Sequence, residues 1–232
     1  MKKTLTILSL AAFSLSASAC ELYAGLGIGP DYAKFQRNAK VSQTLDGVLN
    51  FNVKDDNQFA GTGMFGTVFA GVGSRFKMPY TLTPNQNAYL ALELNVDKSK
   101  LKYQLSNVDF VSSTFASTIY RMNHSYGASL LPGFVFRDTA LFYGRLGYSR
   151  GDIQVITTDT TLGNLHQNMN GFRWGLGIRQ MLTTKFAARM EYSHVAYRNV
   201  TSSTLNTNNV VKTTRITPQT NAVEFSVLYL FD

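Results

Sequence analysis

The sequence predicts an all-β fold, an eight-stranded antiparallel up-and-down barrel that crosses a membrane. Three observations carry the prediction: apolar and polar side chains alternate along several segments, the chain closes on an aromatic-rich strand, and long polar connections alternate with short ones. Alternation at a period of two sends successive side chains to opposite faces of a strand, which in a membrane barrel are the lipid face and the lumen.

Residues 1–19 read as a leader rather than as part of the fold. Met1, Lys2 and Lys3 precede an apolar run from Leu5 to Leu15, and Ala17-Ser18-Ala19 supplies the small residues of a cleavage site. The domain reading is therefore a signal peptide over 1–19, cleaved after Ala19, and one barrel domain over 20–232. No Pro-, Ser- or charge-rich linker divides that domain. The apolar run is too short for a transmembrane helix, and no later segment reaches the roughly 20 apolar residues such a helix needs. Cys20 would then be the first mature residue. Ser16-Ala17-Ser18-Ala19-Cys20 fits a permissive lipidation pattern but lacks the usual leucine, so acylation of Cys20 and plain cleavage both stay open. A single cysteine excludes an internal disulfide.

Composition agrees with a membrane barrel. Tyr and Phe number 12 and 16, Gly 18, and charged residues only 16%, against about 25% in soluble domains. The formal charge of +8 falls to +6 without Lys2 and Lys3, and the basic residues are scattered, so no nucleic-acid stripe forms.

The strands follow in order. Leu22, Ala24, Leu26 and Ile28 alternate with Tyr23, Gly25, Gly27 and Gly29. A second strand runs over about 59–76, with Val68, Ala70 and Val72 on one face. The clearest is the third, where Ala88, Leu90, Leu92, Leu94 and Val96 oppose Tyr89, Glu93, Asn95 and Asp97. No amphipathic helix produces that pattern. Segments 117–137 and 140–150 meet at a tight turn. Phe172, Trp174, Leu176 and Ile178 alternate with Arg173, Gly175, Gly177 and Arg179, and Phe186, Ala188, Met190 and Tyr192 with Ala187, Arg189, Glu191 and Ser193. The last strand carries Val223, Phe225, Val227, Tyr229 and Phe231 against Glu224 and Ser226. An even number of strands returns the C-terminus to the side of the N-terminus. Segments near 36–58, 98–116, 151–169 and 196–220 read as long extracellular loops, and 137–140 and 181–184 as short periplasmic turns. The turn over 77–87, with Pro79 and Pro84, is longer than expected.

These features resemble a known family, the small outer-membrane β-barrels of the opacity-protein and OmpA-like type. The resemblance rests on Tyr23 to Gly29, on Tyr143 to Gly151 and on the closing Val223 to Phe231, and it spans the mature chain. It implies the cell outer membrane of a Gram-negative bacterium and assembly machinery that reads the C-terminal strand, here ending on Phe231 before Asp232. It also implies a structural, adhesin-like or receptor-like role played through the loops. The expected partners are outer-membrane lipids including lipopolysaccharide, that assembly machinery, and a host surface or matrix ligand, with no nucleic acid.

An eight-stranded barrel has a lumen that side chains can fill. Glu93, Arg145, Arg173, Arg179, Arg189, Glu191 and Glu224 are expected to form an ionic network there, and porin-like conductance is not expected. Neither catalytic residues, a cofactor nor a metal is expected. The sharper alternative is a barrel enzyme acting on lipid A or peptides, which needs a base within reach of a nucleophile. His124-Ser125 and Ser193-His194 are adjacent in strands and so face opposite ways, Glu191 and His194 are three apart, and His166 has no acid beside it in sequence. Asp55-Asp56, Asp152 and Asp159 lack the D-x-D-x-D-G spacing of a calcium loop. Gly25-x-Gly27-x-Gly29-Pro30 has no following helix and makes room in a narrow barrel instead of cradling a phosphate. Tyr23, Phe76, Tyr103, Phe142, Tyr148, Trp174, Tyr192, Tyr197 and Phe231 are expected as an interfacial girdle, with Tyr103 and Tyr197 the most open to a second role. A soluble lipocalin-like carrier is the third reading, with its apolar face turned inward.

Overall fold

The computed structural model describes residues 20–45, 48–77, 87–108, 115–136, 139–158, 164–205 and 210–231. Residues 1–19, expected as a leader, the middle of the expected turn at 77–87, Arg137 and Asp138, Asp159 and Asp232 lie outside them. Among the described residues there is no helix. The strands are β1 (Glu21–Leu45), β2 (Val48–Lys77), β3 (Asn87–Val108), β4 (Phe115–Phe136), β5 (Ala140–Thr157), β6 (Leu165–Met181), β7 (Phe186–Tyr197), β8 (Val200–Leu205) and β9 (Val210–Phe231).

Every neighbouring pair is antiparallel, and β9 returns to pair with β1, closing the ring. β7 and β8 lie on the same edge of β9, β7 ending opposite Gln219 and β8 beginning opposite Ile216. Together they make one stave interrupted at Arg198 and Asn199, so the ring has eight staves. Following paired residues around it from Tyr23 leads through Gly71, Glu93, Ser129, Gly147, Arg173, Val195 and Thr220 back to Ala33. That displacement of ten residues along β1 sets the shear, which for eight strands tilts them by about 40° and draws the wall into a narrow tube.

The alternation decides which side faces where. Leu90, Leu92, Leu94 and Val96 of β3 are 45–60% exposed on the outer wall, while Tyr89, Ala91, Glu93 and Asn95 between them are buried in the lumen. Leu26, Val68, Leu146, Phe172, Leu176, Phe225 and Val227 continue the exposed apolar belt around the tube. A lipid-facing band shows this pattern; in a lipocalin-like barrel the apolar side chains would line the cavity.

Two features differ from the sequence expectation. First, most of the segments read as long loops are continued strand: β1 pairs with β2 from Glu21↔Gly73 to Leu45↔Val48. The alternation inverts there, because the outer face becomes polar while Ala33, Phe35 and Ala39 turn an apolar face to the lumen. Gln36, Asn38 and Lys40 face out while Arg37 faces in beside Phe35 and Ala39, so the backbone ladder persists but carries no lipid-facing apolar series. Second, three of the expected girdle aromatics, Tyr23, Tyr103 and Tyr197, face the lumen, because each shares parity with its strand's inward set. Tyr23 and Tyr197 are buried and Tyr103 is half-buried. Phe142, Tyr148, Trp174, Tyr192 and Phe231 are exposed on the outer wall, and Phe76 is half-buried.

The lumen is filled in layers. Tyr23, Phe69, Tyr89, Leu131, Val135, Leu141, Tyr143 and Leu228 pack at the periplasmic end. At the other end lie Phe35, Phe59, Leu101, Tyr120, Ile153, Val155, Met169 and Ile216. There Phe59 stacks on Phe35 and Tyr103 at centroid distances of 5.5 and 5.0 Å and lies 4.6 Å from Tyr120. Inward glycines make room for the rings at the base. A methyl at Gly71 would sit 2.5 Å from Tyr23 Oη, because the two residues are directly opposed on β1 and β2.

Candidate functional site

Between the two apolar layers lies a belt of charge. Glu93 of β3 is fully buried and accepts from both Arg145 of β5 and Arg189 of β7, the latter at 2.7 Å. Arg189 Nη2 donates to Glu224 Oε1 at 2.6 Å and its Nε to Ser226 Oγ at 3.0 Å. Arg145 Nε approaches Glu191 Oε1 at 2.8 Å. Tyr23 Oη donates to Glu93 Oε2 at 3.0 Å and Tyr143 Oη to Glu191 Oε2 at 2.7 Å. The Arg189 guanidinium also lies 3.6 Å from the centroid of Phe69. The charges come from β3, β5, β7 and β9, with Arg189 and Glu191 both on β7, and Tyr23 adds β1, so the network ties five strands across the lumen.

The remaining expected members sit in separate pairs. Arg173 donates to Asp97 Oδ2 at 2.5 Å above the belt, where Thr67, Asn95 and Ser125 also donate to that carboxylate. Arg179 lies below it, 2.6 Å from Glu21 Oε1 and over the rings of Tyr89 and Tyr23. Arg75 reaches Glu21 from the other side at 3.4 Å. Thus the structure brings Glu93, Arg145, Arg189, Glu191 and Glu224 into one cluster and places Arg173 and Arg179 in two others.

The expected ionic network lacked Glu21, Asp31 and Asp97, although Asp97 is already read on the inner face of its strand and parity marks the other two. Glu21 and Asp31 share the inward parity of Tyr23, and Asp97 that of Glu93. Asp31 is buried and accepts a hydrogen bond from Ser99. A cavity of ≈ 50 Å³ remains beside it, bordered by Asp97, Arg173, Tyr197 and Glu224. It has room for a few water molecules.

The chain belongs to the outer membrane protein beta-barrel domain family. The family profile covers residues 5–231, nearly the whole sequence, and indicates the Gram-negative outer membrane. Among curated proteins none matches the chain. Similar solved structures include Ail, the attachment invasion locus protein of Yersinia pestis. Ail was solved in complex with the heparin analogue sucrose octasulfate; it is 14% identical, with 91% of this chain and 99% of that one covered and a TM-score of 0.33. Neisserial surface protein A is 16% identical, with coverages of 89% and 97% and a TM-score of 0.40. The outer membrane protease OmpT of Escherichia coli is 11% identical, with 91% and 97% covered and a TM-score of 0.43.

On the outer wall of this barrel the histidines take different environments. His194 lies against Trp174 at 5.3 Å and within 2.9 Å of Asn221 Oδ1, while Glu191 points into the lumen. Ser125 faces inward to Asp97 and His124 outward. His166, expected without an acid partner, is instead 2.7 Å from Asp152 Oδ1. The register of β4 against β5 shifts between Met122 and Ser125, setting Asn123 and His124 opposite Asp152, with His124 Nδ1 3.8 Å away. That bulge and a neighbouring strand assemble the group, so no linear spacing announces it. Among the described residues no group of His, Cys, Asp and Glu is arranged to hold a metal ion. Of the loop acids, Asp56 is exposed, whereas the Asp55 side chain and Asp159 lie outside the described residues. Cys20 is free and exposed just ahead of β1.

Proposed function

We propose that the protein is a non-enzymatic surface barrel, exported by cleavage after Ala19, that presents its extracellular strand ends for recognition in a structural, adhesin-like or receptor-like role. The supporting observation is the division of labour along the tube. The charges around Glu93 satisfy one another and the apolar layers fill the space around them, while β1 and β2 pair on past the apolar belt to Leu45 and Val48, with Gln36, Asn38 and Lys40 on the outer face of β1. Rigid scaffolds with polar ends are where recognition usually resides.

Replacing the tips near 43–50, 105–117, 157–165 and 203–212 with tight turns should leave a folded barrel that no longer binds host cells or extracellular matrix. Undiminished binding by the trimmed barrel would sink the proposal. N-terminal sequencing of the mature protein tests the cleavage, with Cys20 expected first and a blocked, acylated terminus marking lipidation. One observation favours a second reading, a barrel enzyme, because Asp152 could orient His166 as a base. If so, His166→Ala would abolish a hydrolytic activity toward lipid A or peptide that the folded wild type shows.

A further inference from the structure

Above the apolar belt the wall has a seam. β6 pairs with β7 up to Gly171↔Tyr197 and goes no further on that edge, although it continues alongside β5 to Leu165↔Val155. β8, which takes over the line of β7 after Arg198 and Asn199, pairs with β9 alone. Among the described residues, then, 165–170 of β6 and 200–205 of β8 flank a gap with no ladder across it. The floor of the seam is a backbone bond from the Arg198 N–H to Asn170 O at 2.9 Å. That bond fixes the direction of the groups above it. Every second residue of a regular strand turns its N–H and C=O to the same edge, so those of Asn168 and His166 point into the seam. Neither residue has a backbone partner on that edge among the described residues. Behind it Met169, Val195, Tyr197, Val200 and Ile216 are buried in one apolar cluster, so the seam leads to a packed layer.

Free sheet edges are commonly blunted by lysine, proline or a bulge. Leu165 to Asn170 contain no lysine or proline and keep an unbroken register with β5. An edge left plain in this way is completed by an added strand. Charge then selects the strand. Arg150 stands opposite Asn170 on β5, Arg198 at the foot of the seam, and Arg215 opposite Thr201 on β9. All three are exposed, and none has a carboxylate partner among the described residues. Of the carboxylates described on β5 to β9, Glu191 and Glu224 point into the lumen and Asp152 is buried against His166. At the base of the seam Tyr148, Phe172, Ala196 and Arg198 line an open groove of ≈ 330 Å³, apolar along its walls with a guanidinium at its rim.

We propose that the seam is a docking site for an extended acidic segment of a partner protein. The segment adds to β6 as a further strand through the backbone of His166 and Asn168, sets its carboxylates against Arg198 with Arg150 and Arg215 on either side, and seats an apolar side chain in the groove. This names a site and a class of partner within the reading of the strand ends as a recognition surface, and it rests on that reading.

The probe is a fluorescently labelled peptide of four Val-Glu repeats, titrated by anisotropy against the full mature chain folded in phosphatidylcholine nanodiscs. It should bind, more weakly as salt rises, whereas its Val-Lys counterpart should not. Methylating the backbone amides of the probe keeps its charge and removes its ladder donors, and should weaken binding by about tenfold or more. Asn168→Pro sets a ring on the free edge and spares the ladder to β5, because the N–H it removes points into the seam. That variant and Arg198→Glu should both lose binding while heat-modifiable mobility shows a folded barrel. Lys185→Gln, at the periplasmic turn, should bind as wild type. Should Asn168→Pro fail to fold, Arg198→Glu and the methylated probe decide the matter. Absence of binding to the wild type would overturn the proposal. Equal binding of the methylated probe would reduce the contact to surface charge and overturn strand addition. Retained binding in the folded variants would overturn the placement at the seam. Cell and matrix binding by the trimmed barrel is measured separately, so a failure of the peptide assay strikes the seam and leaves the functional proposal standing.

Discussion

Glu93 is the residue on which the lumen turns, since two guanidinium groups and a phenol converge on one carboxylate from three other staves. Removing one partner of a buried ion cluster strands the others, at a cost of about 3–5 kcal/mol. Glu93→Ala should therefore lower the urea midpoint of the refolded barrel substantially, read as loss of the fast-migrating folded band. Glycine positions offer a finer contrast. At Gly71 an added methyl would meet Tyr23 Oη at 2.5 Å and Leu92 O at 2.9 Å, so Gly71→Ala should cost about 1–3 kcal/mol. At Gly144 the nearest atoms would be carbonyl oxygens 3.9 Å away, and Gly144→Ala should change stability by less than about 0.5 kcal/mol. The same urea titration checks both; equal effects at the two sites would contradict the packing described. Parity along each strand exposes most of the lumenal charges to sequence reading, because Glu93, Arg173 and Glu191 each sit among apolar residues of opposite parity. The Asp152–His166 contact is not legible in that way. It depends on the register of β6 against β5, where Gln154 pairs with His166 and Asp152 with Asn168, and that register leaves no mark in residue spacing.

At the scale of elements, the periplasmic halves of the strands are the legible part. From Ala88 to Asp97 the two faces of β3 differ sharply in polarity, since one meets hydrocarbon and the other meets ions. Beyond the apolar belt the outer face meets water and turns polar while the lumen face turns apolar, so no lipid-facing series marks the strand and residues 36–45 look like a loop although they pair through to Leu45. The break at Arg198 and Asn199 that separates β7 from β8 is likewise hidden in a polar run. The membrane places a further demand on the outer face of β3. Leu94, 60% exposed at the middle of that face, should tolerate arginine poorly, with Leu94→Arg costing about 2–4 kcal/mol of folding stability in bilayers. Gln104→Arg, beyond the belt on the same face, should be close to neutral, and comparing the two variants in lipid vesicles checks the position of the hydrocarbon boundary.

For the whole molecule, eight staves at a shear of ten leave a lumen only as wide as its side chains can fill. Apolar layers at both ends and an ionic belt between them occupy it, and the cavity beside Asp31 stays small at ≈ 50 Å³. On the proposed function the tube is a pillar and partners are met at its outer wall and extracellular rim. Conductance tests that description most directly. The folded, heat-modifiable protein reconstituted in a planar bilayer should leave the membrane silent under applied voltage. Reproducible porin-sized current steps from the purified monomer would contradict it, showing that the lumen is an open path and that transport is the protein's business.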